Sequence, residues 1–288
     1  MRILLFILSL GIFITLLCSS FTKKEKSWYD GLSVPGIVFV DEEMGIDQTE
    51  VTNFHWLEYL YWLGRKYGKE SNEYKSQLPD TTAWTEEDSL YQANRDWYLR
   101  HSSFRDYPVV GVSYEQVEAY CKWRNDRVFE YYLIKKGEVT WERVSTKDPD
   151  SVITIERYKK GEVLGLSSNP KINQYPNYHI PNQSEINKVL HYLEYAKTKK
   201  SKRELKNLNY QSKEKEKWPM PVLYAHPKRK PQWIYHFGTN VSEWVAGGKE
   251  VFGQNWMNYT TDPTNSYSFE NTKAHPSVGF RCAFNWVE

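Results

Sequence analysis

Long apolar runs are almost missing from this chain of 288 residues. The one present, Ile3 to Leu17, follows Met1-Arg2, and no second run of that length appears. A membrane-spanning helix needs roughly 20 residues, so the run is short for a span and reads as a secretory signal. Charge of one sign is also lacking: 38 Lys and Arg against 36 Asp and Glu leave a net +2. Phosphate recognition needs a concentrated basic face, so this balance argues against a nucleic-acid partner. The seven histidines never fall at a ligand spacing such as H-x-x-x-H, which removes the commonest helical metal site. Cysteine is scarce, with only Cys18, Cys121 and Cys282. Aromatics are abundant instead, with 22 Tyr and 12 Trp. Their large apolar bodies and single polar tips suit folds with much irregular backbone.

Residues 1–18 are expected to be a signal peptide and 19–32 a polar linker. Cys18 stands where a bacterial lipoprotein carries its acylated cysteine, while Leu17 fills a place usually held by a small residue. Lipidation at Cys18, a plain signal peptide and an uncleaved anchor all remain open. Each puts the body outside the cytoplasm, where disulfides survive. The length from Ser33 to Glu288 is read as one large domain.

Within it, Thr52 or Asn53 can cap a helix whose stripe is Trp56, Leu57, Leu60, Tyr61 and Leu63. Lys69 to Asp106 reads as a polar surface excursion with one short helix and with Trp84 and Trp97 as anchors. Tyr107 to Ser113 has strand character, with Pro108 at its start. Ser113 and Gln116 form a capping box, and Val117, Tyr120, Cys121 and Arg124 then share one helical face. Asn182 and Glu185 repeat the capping spacing ahead of the amphipathic Ile186, Val189, Leu190 and Leu193. Residues 197–203 are strongly basic, and suit a solvated helix end or a docking patch for an acidic partner or membrane surface.

Four short islands stand out: Glu50-Val51-Thr52-Asn53, Tyr107 to Ser113, Gly238-Thr239-Asn240-Val241-Ser242-Glu243-Trp244-Val245, and Gly279-Phe280-Arg281-Cys282-Ala283. In this order they resemble the formylglycine-generating-enzyme-like, or sulfatase-modifying-factor, family over 33–288. Against the family pattern the chain carries an insertion at about 129–178, with Lys135-Lys136 and Lys159-Lys160. The fold the resemblance implies is an α+β, C-type-lectin-like architecture. It would have low regular secondary structure, two or three helices and a small antiparallel sheet.

Active oxidases of the family use a cysteine pair in the C-terminal third to bind copper, chemistry that Ser or Asn cannot supply because soft thiolates select Cu(I). Here Phe252 to Val278 holds no cysteine, and Phe252-Gly253-Gln254-Asn255-Trp256 stands where relatives have R-G-G-S-W. The resemblance also implies a Ca2+ loop. Asn240, Val241 and Glu243 match it, unless Glu243 only pins the loop through backbone hydrogen bonds. Arg281 reads as an internal clamp. Cys121 and Cys282 match a structural disulfide of the family, a bridge that would stabilise by roughly 4–5 kcal/mol in the chain-entropy model.

The phrases Glu50 to Trp62 and Tyr107 to Arg127 look most like the gliding-motility and type 9 secretion lipoproteins of Bacteroidota. That likeness implies a non-catalytic, exported structural or interaction subunit of an envelope assembly. If lipidated, it would sit on the periplasmic side of the outer membrane with envelope protein partners. Two alternatives stand beside it: a sulfatase-maturation-type enzyme working by another route, and a lectin-like module binding glycans through exposed Trp and Tyr.

Overall fold

The computed structural model describes residues 28–144, 148–199, 218–223, 233–258, 264–269 and 274–288. The expected signal peptide, Cys18 and the basic residues beyond 199 lie outside them. No described helix is long and apolar enough to cross a membrane. Residues 28–33 belong to a separate short unit, a turn in which the Leu32 N–H donates to the Tyr29 carbonyl. The main unit is Val34–Glu288.

This unit opens with a hairpin of β1 (Ile37–Phe39) and β2 (Gly45–Asp47). Helix α1 (Asn53–Lys66) starts at Thr52, whose hydroxyl accepts from the His55 N–H while the His55 ring reaches back to the Thr52 amide. Its inner face buries Trp56, Tyr59, Leu60 and Leu63. Trp56 stacks on Tyr120 at 5.4 Å, meets the Phe280 ring edge-on and donates from its indole to the Gln77 carbonyl. Tyr61, expected in the buried stripe, is 68% exposed.

Residues 69–106 hold three short helices, α2 (Asn72–Lys75), α3 (Ala83–Glu87) and α4 (Gln92–Trp97), with single 3-10 turns at Ser89–Tyr91 and Ser102–Phe104. Local caps start some of these turns: Ser71 accepts from the Tyr74 amide, Asp88 from the Leu90 amide. Trp84 lies in a core cluster with Tyr98, Val110, Val241 and Trp256, whereas Trp97 faces solvent.

Tyr107 to Ser113 forms no strand; it makes one bridge, Thr52 to Pro108, and a bond from the Val109 N–H to the Val51 carbonyl. The long helix α5 (Tyr114–Lys135) begins with the reciprocal Ser113–Gln116 pair. It runs into the expected insertion, which adds α6 (Trp141–Val144), α7 (Ile155–Lys159) and most of β3 (Tyr175–His179). That stretch is packed, with Ile153, Tyr158 and Ile172 buried and Tyr158 edge-on to Phe129 at 5.0 Å. Helix α8 (Gln183–Lys199) starts with the Asn182–Glu185 exchange of hydrogen bonds.

The C-terminal third contributes β4 (Ser242–Trp244), β5 (Glu250–Phe252), β6 (Ser266–Ser268), β7 (Val278–Gly279) and β8 (Ala283–Val287). One sheet has the order β1-β2-β8-β3 and is antiparallel throughout; the other runs β6-β5-β4-β7, with β4 and β7 parallel. The expected C-type-lectin-like arrangement of two or three helices and one small sheet is therefore overturned. The described residues hold eight α-helices and two four-stranded sheets. The extra helices are four to six residues long, too short to show a 3.6-residue period in sequence.

Trp56 ties α1, α5 and the Phe280 segment together. Trp56→Ala is expected to cost about 3–5 kcal/mol, read as a lower urea midpoint with unchanged slope.

Candidate functional site

The centre of the domain lies where the chain passes from β7 to β8 through Phe280, Arg281 and Cys282, all fully buried. Arg281 therefore sits between the two sheets. Its Nε and Nη2 donate to both oxygens of Glu243 on β4 at 2.7–2.8 Å. Nη2 also donates to the Tyr235 carbonyl at 2.9 Å, and Nη1 to the Asp47 carbonyl on β2 at 3.2 Å. The planar fork thus holds one carboxylate and two carbonyls at once.

The network extends on both sides. Arg124 of α5 grips the Asp47 carboxylate with two bonds of 2.7 and 2.8 Å, and that carboxylate also accepts from the Cys282 amide. On the other side, Asn240 donates from Nδ2 to Glu50 at 2.9 Å and to the Met220 carbonyl, while its Oδ1 accepts from the Met220 amide. The second oxygen of Glu50 is 3.9 Å from Arg281 Nη2, too far for a hydrogen bond.

These distances decide where the proton goes. Burial pushes the Glu50 carboxyl up to about 8, against the pull of Arg281 and with repulsion from Glu243 adding to it. Burial pushes Glu243 upward too, but Arg281 opposes this directly through three charge-assisted bonds. Glu50 is accordingly the carboxyl that takes a proton. With it neutral, two guanidinium groups face two carboxylates and the buried charges balance. His236, buried beside them at φ +52°, is held neutral, its pKa pushed down to about 4 by burial and then by Arg281.

The loop carrying these groups needs left-handed backbone at His236, Gly238 and Asn240. Gly253 lies directly on it, where an added Cβ would fall 2.5 Å from the Gly238 Cα. Gly238 and Gly253 are thus fixed by close approach. Gln254, Asn255 and Trp256 come next, buried, and the cleft they form with Trp218, Met220, Thr239 and Asn240 has a volume of about 10 Å³. That is room for one water at most. Asn255 donates to Ser242, and Trp256 stacks on Trp84 at 5.6 Å.

Among the residues proposed from sequence, Val241 is a core side chain packed with Trp84 and Trp256. Asn240 and Glu243 have their side chains committed as above. In this arrangement a guanidinium takes both Glu243 oxygens and the Asn240 side-chain oxygen accepts from an amide. Among the described residues no group of three or more His, Cys, Asp or Glu is placed to hold a metal. Cys121 and Cys282 are brought together, both buried and unbonded, with Sγ atoms 3.6 Å apart. Burial drives the Cys282 thiol well up, so the pair lacks the electropositive exposure of reactive thiols. Sequence reasoning did not single out Glu50, Asp47 and Arg124 as partners; Asp47 and Arg124 stand 77 residues apart.

The geometry defines a domain of helices around two sheets whose centre is a buried, charge-balanced clamp. Residues 37–286 match the sulfatase-modifying factor enzyme 1-like domain, and the chain belongs to that family. Two solved structures are similar to it over most of its length. CarF is 17% identical with a TM-score of 0.43, covering 85% of this chain and 87% of its own. Treponema denticola variable protein 1 is 16% identical with a TM-score of 0.37, covering 84% of each chain. No curated protein sequence matches.

Two substitutions test the clamp. Glu243→Ala leaves Arg281 buried without its carboxylate and is expected to cost about 3–5 kcal/mol in chemical denaturation. Glu50 has a folded-state pKa above its unfolded value, so the folded state binds the extra proton and stability falls as pH rises from about 5 to 8. Glu50→Gln, neutral at every pH, should flatten that part of the melting-temperature profile and gain most over the native protein near pH 8.

Proposed function

We propose that this protein is a non-catalytic, exported structural or interaction subunit of an envelope assembly of the gliding-motility or type 9 secretion kind. The observation that carries the reading is the state of the segment where the family resemblance locates the copper-binding cysteines. Phe252 to Val278 contains no cysteine, and the cleft beside Gln254–Trp256 is too small for an organic substrate. Glu243 and Arg124 are spent on holding Arg281 and Asp47 in place, which is work for a scaffold.

Export places Cys121 and Cys282 in an oxidising compartment, where closing their 3.6 Å gap to a disulfide would fasten α5 to the last sheet crossover. Cys18 is then left for lipid attachment. The insertion offers exposed Trp141 and Leu164, 66% and 86% accessible, as contact points for envelope partners.

The test is gentle detergent extraction of native membranes, affinity capture of the protein, and mass spectrometry of its partners and of its own intact mass. The expected outcome is a set of envelope proteins at fixed ratio, with a lipid-sized increment on a chain beginning at Cys18 and no alkylation of Cys121 or Cys282 before reduction. A free, unlipidated protein that consumes oxygen when given copper and a cysteine peptide would replace this reading with an enzymatic one.

A further inference from the structure

Helix α1 carries a second apolar stripe that the core does not use. Phe54, Leu57 and Tyr61 recur at i, i+3 and i+7 on its outer face; Phe54 and Tyr61 are 37% and 68% exposed. Two adjoining hollows of about 600 and 570 Å³ open along this stripe, sharing Leu57, Tyr61 and Arg100 in their walls. Together they make a groove beside most of a 14-residue helix, which at 1.5 Å per residue is about 21 Å long.

The rim of the groove is cationic. Arg105 lies 4.5 Å from the Phe54 ring centroid, Arg100 stands between the two hollows, and Lys69 closes the far end. None of these three makes an ion pair among the described residues, unlike Lys75, Arg124, Arg127, Lys160, Lys188 and Arg281. Glu58, near Arg105, is the one carboxylate in either wall among the described residues. The groove thus offers an apolar floor at helical spacing and a net positive rim, complementary to a helix with an apolar stripe flanked by acids.

We propose that this groove is the docking site for an acidic amphipathic helix of a partner protein. This rests on the reading of the chain as an interaction subunit and names the chemistry of one partner.

The experiment pans a phage-displayed random peptide library on the full exported chain, with peptides of about 16 residues, long enough for four helical turns. Selected peptides are then measured by fluorescence anisotropy. Expected are peptides with net negative charge and apolar residues three or four apart, whose binding weakens with added salt. The double variant Arg100→Glu/Arg105→Glu should lose about tenfold or more in affinity, as loss of interface arginines does, while Arg100→Lys/Arg105→Lys retains most of it and both keep the native circular dichroism. The proposal is overturned if no peptide is enriched, if the selected peptides are neutral or basic, or if the charge-reversed variant binds equally well. It is also overturned if phosphatidylglycerol vesicles, rather than peptides, show the arginine dependence. The assembly reading is judged separately: envelope partners that still co-purify with Arg100→Glu/Arg105→Glu leave that reading standing while the groove loses its role.

Discussion

The buried guanidinium of Arg281 joins the two sheets, since its partners include the Glu243 side chain of one and the Asp47 carbonyl of the other. Taking such groups out of water costs several kcal/mol per ion even after relaxation. Their mutual attraction offsets this only when geometry is good and the remaining polar atoms are satisfied. Here the arrangement meets most of that demand by pairing Arg281 with Glu243, Arg124 with Asp47, and one oxygen of Glu50 with Asn240, while the other Glu50 oxygen stays buried without a hydrogen bond. An apolar centre of the same volume could be as stable. What the ions add is register: any other placement of β7 against β4, or of the 280–282 crossover against β2, would strand a charge.

The same commitment explains the character of the region as a whole. A reaction centre needs groups whose lone pairs or protons are free to act at a substrate. In this domain Glu243, Asp47, Arg281 and Arg124 are bonded to each other or to the backbone, and Gly253 is seated directly on Gly238. The outer surface of α1 presents the opposite condition, with more cations than carboxylates along it and with Phe54 and Tyr61 exposed. A stiff centre of this kind lowers the ordering cost of any association made at the surface.

How much of this could be read from sequence depended on how local each feature is. The starts of α5 and α8 were legible because Ser113–Gln116 and Asn182–Glu185 satisfy their amides within four residues, and Val117, Tyr120 and Cys121 pointed inward as their spacing required. The family islands were legible for the same reason. The short helices of 69–106 were not, since only the first has a side-chain cap and all end before one face can repeat. Tyr107 to Ser113 has the composition of a strand, yet its neighbours offer it only one bridge. The partners of Arg281 and Arg124 come from strands of three residues and from loops, and nothing in those residues announces which distant arginine they will meet. On α1 the aromatic richness concealed that there are two stripes, one for the core and one for solvent.

The position of β8 sets the order in which the sheets can be completed. Of the strands described, it is synthesised after all the others, yet it lies inside its sheet, between β2 and β3, with Ile46 opposite Ala283 and Tyr178 opposite Phe284. Until those residues arrive, both neighbours present unpaired edges, and Arg281 is not there to meet Glu243. Contacts of such long sequence separation make for slow folding. Closure of this sheet and of the Arg281 clamp therefore has to wait for residues 281–287, the last stretch of the chain to be added to a scaffold already laid down.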